Sequence, residues 1–128
     1  MIGASLYSLL TAHAPLIALV GSKIYPVQAK QGEKDPMVVY GITKQRAEPT
    51  KAAASIEDYV MMEVVVYAKD YDLMHQISKE VRNALDKKSG TIAGNIISEI
   101  NFEDFSDGWE QERESYAGVS IYLIISTP

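Results

Sequence analysis

Two kinds of hydrophobic spacing divide the chain. Near its start Ile2, Leu6, Leu9, Leu10 and His13 recur at helical intervals until Pro15 interrupts the hydrogen-bond ladder, and a short second turn, 16–20, ends at Gly21. Tyr25 and Pro26 read as an extended exit, and 27–35 has no periodicity and predicts an exposed loop. The β-branched and aromatic run from Met37 to Thr43 predicts a first strand that fades near Glu48 and Pro49. Residues 58–68 alternate cleanly, with Val60, Met62, Val64, Val66 and Ala68 on one side and Tyr59, Met61, Glu63, Val65 and Tyr67 on the other. Apolar residues on both sides imply a central strand. Helical spacing returns in Leu73, Ile77, Val81, Ala84 and Leu85, after a cap at Asp70 or Asp72, and stops by Lys87, Lys88 and Gly90. Two more alternating runs, 96–105 and 115–126, predict a third and a fourth strand, with Asp107-Gly108 as a turn signal between them.

The order helix-strand-strand-helix-strand-strand is a circular permutation of the ferredoxin-like order. It predicts an α+β fold with a four-stranded, wholly antiparallel sheet, strand order first-second-fourth-third, and both main helices on one face. The other face would then carry Tyr59, Met61, Val65, Tyr67, Tyr122 and Ile124. Between the first two strands, 47–57 lacks any period and reads as a flexible arm.

Composition narrows the function classes. With 128 residues, 47% of them apolar, the chain suits one domain spanning 1–128. It contains no cysteine, which removes disulfides, thiolate metal sites and cysteine nucleophiles. The start has no basic n-region, and the apolar run 14–20 is far below the ~20 residues of a membrane span, so synthesis and use in the cytosol, without a membrane partner, are expected. A net charge of −5 argues against nucleic-acid binding. The charge is also divided: 23–51 is rich in Lys23, Lys30, Lys34, Lys44, Arg46 and Lys51, whereas 99–114 carries seven carboxylates against Arg113 alone. This division fits either two solvated faces or a complementary subunit interface.

Catalytic chemistry finds no foothold. His13 and His75 have no companion motif for a metal shell, and Asp72 with His75 at i, i+3 is an ordinary first-turn pair. Glu103, Asp104 and Asp107 lack the spacing of a calcium loop and read as a solvated acidic turn. No GxSxG elbow, phosphate loop or dinucleotide fingerprint is present. Tyr59, Tyr67, Tyr116, Tyr122 and Trp109 stand among carboxylates, which disfavours a base-stacking platform.

The segment Gly21-Ser22-Lys23-Ile24-Tyr25-Pro26, a polar run, and then Pro36-Met37-Val38-Val39-Tyr40 resembles the tail-completion, or tail-to-head joining (tail terminator), proteins of long-tailed bacteriophages and prophages. The likeness extends through the later elements over nearly the whole chain. It implies a non-catalytic virion protein without a cofactor, assembled in the host cytoplasm and placed at the head-proximal end of the tail. It further implies a ring, commonly of six copies, that closes the tail tube and presents a surface to the head-side connector, with DNA only passing through. A head-tail connector or neck component, and a small α+β ligand-binding or regulatory module, stand as alternatives. On the family reading, Lys23, Lys44, Arg46, Pro49 and Lys51 would meet Glu103, Asp104 and Asp107 of a neighbour or the tube, and Glu103, Asp104, Asp107, Glu110 and Glu112 would approach the channel.

Overall fold

Pro15 lies in the first turn of a helix, where its missing N–H breaks no ladder bond, and this decides how the chain begins. In the computed structural model, which describes residues 2–30, 32–48 and 57–127, α1 (Ile2–Ala12) and α2 (Ala14–Val20) join at His13 with an 85° bend. Leu6, Leu10 and Leu16 are fully buried, each contributing about 1.5–3 kcal/mol by leaving water. The His13 ring reaches Glu80 Oε1 at 3.0 Å, tying the bend to the long helix α3 (Tyr71–Leu85). Asp70 caps α3, its side chain accepting from the Leu73 N–H at 3.0 Å. No single helix among the described residues is long and apolar enough to cross a membrane.

The remaining elements are strands: β1 (Ile24–Pro26), β2 (Met37–Glu48), β3 (Glu57–Ala68), β4 (Gly90–Ile92), β5 (Asn95–Glu110) and β6 (Ser115–Ser126). They form one curled, six-stranded sheet in the order β1-β2-β3-β6-β5-β4, with β1 parallel to β2 and all other neighbours antiparallel. The expected four-stranded, wholly antiparallel ferredoxin-like sheet with two main helices is therefore incorrect. The fold is a mixed sheet in half-barrel form with three helices. The two additional strands have only three residues each, too short for any alternation to register. Tyr25 and Pro26, read as a helix exit, are strand β1, and Gly90, read as a helix stop, opens β4. The four long strands alone keep the neighbour order first-second-fourth-third.

Helices cover one face of the sheet. There the core joins Val60, Met62, Val64 and Val66 of β3 to Leu6, Leu10, Met74, Ile77 and Val81 of the helices. Contrary to expectation, Tyr122 and Ile124 belong to this buried face, and Val119, Ile121, Leu123 and Ile125 stand on the open one. Small residues explain the inversion: a Cβ added at Gly118 would come within 2.5 Å of Met74 Sδ and 2.8 Å of Ser78 Oγ, so only this side of β6 admits α3. The arm's ends, Ala47 and Glu57, are paired strand residues, and 49–56 lie outside the described residues.

Candidate assembly surface

Three β-bulges set which side chains share the open face. Between Ile42 and Lys44 the register of β2 on β3 shifts by one residue, so Lys44 stands opposite Met61 and Arg46 opposite Tyr59. The Arg46 guanidinium lies 5.3 Å from the Tyr59 ring centroid. On β5 shifts between Ile97 and Glu99 and between Phe102 and Asp104 leave Ser98 and Glu103 outside the ladder and set Glu99 opposite Ile125 and Asp104 opposite Ile121. Alternation then brings Glu99, Asn101, Asp104 and Glu110 to the open face, while Phe102, Phe105, Asp107 and Trp109 turn toward the helices. The open face thus has a half-buried apolar centre of Met61, Val65, Val119, Ile121 and Leu123. A basic margin on β2 and an acidic margin on β5 flank it.

Those margins are separated by β3 and β6, roughly 14 Å at the usual ~4.8 Å strand spacing. Both lie at edges of the sheet, and on β5 the outer groups at Ile100 and Phe102 are met by the Lys87 N–H at 2.8 Å and the Asp86 side chain at 3.0 Å. Strand β1 covers β2 only at Val38–Tyr40, and β4 covers β5 only at Asn95–Ile97, so among the described residues no strand pairs with the outer side of either beyond these stretches.

The expected site residues are divided by this geometry. Lys44 and Arg46 stand together on the open face, but Lys23 sits beside β1, where its Nζ donates to the Lys34 carbonyl at 3.1 Å. Its place in the β1–β2 register is about 20 Å along β2 from Lys44 at ~3.4 Å per residue. Pro49 and Lys51 lie outside the described residues. Asp104 and Glu110 share the open face, Glu103 is an exposed bulge residue, and Glu112 is exposed in the β5–β6 turn. Asp107 leaves the group. It accepts from the Tyr71 hydroxyl at 2.5 Å and contacts His75 Nε2 at 3.0 Å, anchoring β5 to the first turns of α3. The Tyr71 hydrogen bond first, and the His75 contact second, hold its carboxyl below the usual aspartate range.

A second polar cluster had no signal in the sequence. Asp35, whose side chain is 2% exposed, accepts from the Ser115 hydroxyl and lies 3.6 Å from Arg113 Nη1 and 3.7 Å from Lys69 Nζ. Arg113 also covers the Tyr67 ring at 4.8 Å. Residues from three separate parts of the chain therefore fasten the polar loop before β2 to the β5–β6 turn. Among the described residues no group of three histidine, aspartate or glutamate side chains is placed to hold a metal ion.

Comparison with known proteins follows the same lines. A solved structure of the virion of a native gene transfer agent particle contains a chain of this fold, with a TM-score of 0.72 and 15% identity over 96% of this chain and 92% of that one. A second solved chain, 13% identical, aligns with a TM-score of 0.55 over 94% of each. No curated protein matches. The family model described as tail completion protein gp17 matches residues 4–125. The chain belongs to the tail completion protein gp17 family, a family of structural proteins of the phage tail.

Proposed function

We propose that this protein forms a ring, of six copies by the family's habit, that closes the head-proximal end of the tail tube and joins it to the head-side connector. The observation that carries this reading is the pair of sheet edges, basic on β2 and acidic on β5, that no described strand covers beyond the short stretches of β1 and β4, on opposite sides of one subunit. A ring repeats a head-to-tail contact, which needs two different complementary surfaces per copy, whereas a two-fold dimer needs one self-complementary surface. Lys44 and Arg46 of one copy then meet Glu99, Glu103 and Asp104 of the next, and the backbone groups of the two edges supply hydrogen bonds. With the edges joined, the open face turns toward the lumen and brings Asp104 and Glu110 near passing DNA. Acidic groups there repel phosphate, whereas a basic lining would retain the polyanion through counterion release.

Electron microscopy of the purified protein, alone and with tail tubes, tests the reading. Rings or capped tube ends are expected, and the Lys44→Glu/Arg46→Glu variant should lose them. A chain that stays monomeric at all concentrations and never associates with tube ends would overturn it.

A further inference from the structure

The open stretches of the two sheet edges lie at opposite ends of the sheet. On β2, β1 reaches only as far as Tyr40, whose carbonyl accepts from the Val27 N–H at 2.7 Å, so among the described residues no strand covers 41–48. On β5, β4 covers 95–97, and beyond it the Ile100 carbonyl, the Phe102 N–H and the Phe105 N–H are met by the Lys87 N–H and the side chains of Asp86 and Asp104. The open part of β5 is therefore 106–110. Followed across the ladders, Gly41 is level with Glu63, Ile121 and Asp104, and Ile42 with Met62, Tyr122 and Phe102. The open end of β2 thus stands level with the covered end of β5, and two copies set side by side at one height cannot join these edges strand to strand.

A displacement of about six residues, roughly 20 Å at ~3.4 Å per residue, removes the obstruction. Glu110 then comes opposite Gly41, and 106–110 run antiparallel to 41–46. On both edges the outward backbone groups, at Val38 and Tyr40 and at Ile100 and Phe102, belong to residues whose side chains face the helices, so a sheet joined in this way keeps its two faces. Trp109 arrives opposite Ile42. Both are apolar side chains on the helix side, exposed by 52% and 43%. Next to Ile42 a hollow of about 310 Å³, lined by Ile2, Gln45 and Asp58 among others, has room for an indole. On the open face the same register sets Glu110 and Asp104 diagonally across from Lys44 and Arg46, within reach of long side chains.

We infer that consecutive copies join in this staggered register, with Trp109 of one copy seated in the hollow beside Ile42 of the next. The register rests on the ring reading and narrows it: Asp104 stays in the charged contact, Glu110 joins it, and Glu99 stands outside it. Trp109 is preset for the role. Its ring packs edge-on against Tyr116 at 5.1 Å, and its Nε1 donates to Gln111 Oε1 at 3.2 Å. Little side-chain freedom is left to lose on docking, and a tryptophan that enters a pocket on its partner is the kind of residue that dominates an interface.

Trp109 is the only tryptophan and the chain has no cysteine, so fluorescence and engineered disulfides both report cleanly. As the full chain self-associates in sedimentation measurements, Trp109 emission should shift to the blue and its quenching by acrylamide should fall ~2-fold or more, as an exposed indole becomes buried. Trp109→Ala should weaken self-association ~10-fold or more with an unchanged far-UV circular dichroism spectrum. Under oxidation Gly41→Cys with Glu110→Cys should link copies, and Gly41→Cys with Asp104→Cys, the level pair, should not. Assembly in which Trp109 stays fully quenched, or links formed by the level pair in place of the staggered one, would overturn the stagger and leave the ring reading standing. A chain that neither self-associates nor binds tube ends would overturn both.

Discussion

Gly118→Ala is the substitution whose consequence the packing defines most sharply. The new methyl would stand 2.5 Å from Met74 Sδ, 2.8 Å from Ser78 Oγ and 3.1 Å from Phe105 Cε1. Met74 is fully buried and Ser78 is 7% exposed, so neither can swing into water, and both belong to α3, so relief requires the helix itself to lift. Overpacking of this kind costs about 1–3 kcal/mol. Replacing glycine also restricts the unfolded chain, which returns about 0.4–1 kcal/mol. The net expectation is a loss of about 1–2 kcal/mol. For a 128-residue chain, with an unfolding entropy of about 2.1 cal/mol/K per residue, that lowers Tm by ~4–7 °C. Urea denaturation of Gly118→Ala, Met74→Ala and the double variant would measure it. The double variant should be more stable than the sum of the singles implies, by about 1 kcal/mol, since the truncated Met74 makes room for the methyl. A stabilised Gly118→Ala protein, or strictly additive losses, would refute the tight contact between α3 and β6.

Three further outcomes follow from the same geometry. Lys44→Glu with Arg46→Glu should weaken self-association in sedimentation measurements, and Glu99→Lys with Asp104→Lys in a second chain should restore mixed assembly; failure of the restored pair would break the charge-matched edge reading. Asp107→Asn should flatten the acid limb of thermal stability: the folded carboxyl titrates below its unfolded value of about 3.9, so its contribution is complete above that pH and lost as pH falls through the lower folded value. An unchanged pH profile below about 4 would count against the Tyr71–Asp107–His75 cluster. Asp35→Ala should destabilise by about 1–3 kcal/mol in denaturant titrations, because the partners it leaves, Lys69 and Arg113, retain access to water and only the buried carboxylate's bonds are lost.

How much of this was legible in the sequence depended on length and chemistry. The alternation of β3 and the helical spacing of α3, each sustained over 12 or more residues, gave elements of the right type and nearly the right limits. The arm's expected limits, 47–57, overlap paired strand residues at both ends, since Ala47 and Glu57 carry no apolar signal to extend the period. The two three-residue edge strands had no period to find, and with them went the mixed character of the sheet. In β6 the polarity of the two faces was too similar to choose between them. Only the contact of α3 with Gly118 decides which is inside. The charged residues were legible as a basic half and an acidic half, yet not as surfaces. Asp107 belongs to the helix side, Lys23 belongs to the β1 edge, and the Asp35 cluster joins positions 80 residues apart in sequence.

The bulges carry a consequence for how this chain tolerates deletions. In β2 the unpaired position is Thr43: Ile42 pairs with Met62 and Lys44 with Met61, so the bulge absorbs one surplus residue and keeps every later side chain on its face. Removing Thr43 would return the ladder to regular alternation and leave Lys44 and Arg46 on the open face, opposite Met61 and Tyr59, with Gln45 still opposite Val60. A single-codon deletion at Thr43 would therefore leave the distal strand in place, whereas straightening the bulge with Thr43 retained would exchange its two faces. Glu103 plays the same part in β5, where its loss would leave Asp104 opposite Ile121 on the open face and Phe105 opposite Ser120 on the helix side. Both charged margins thus hold surplus residues at their bulges, and single-residue deletions should be tolerated better there than in β3 and β6, whose mutual register has no such slack.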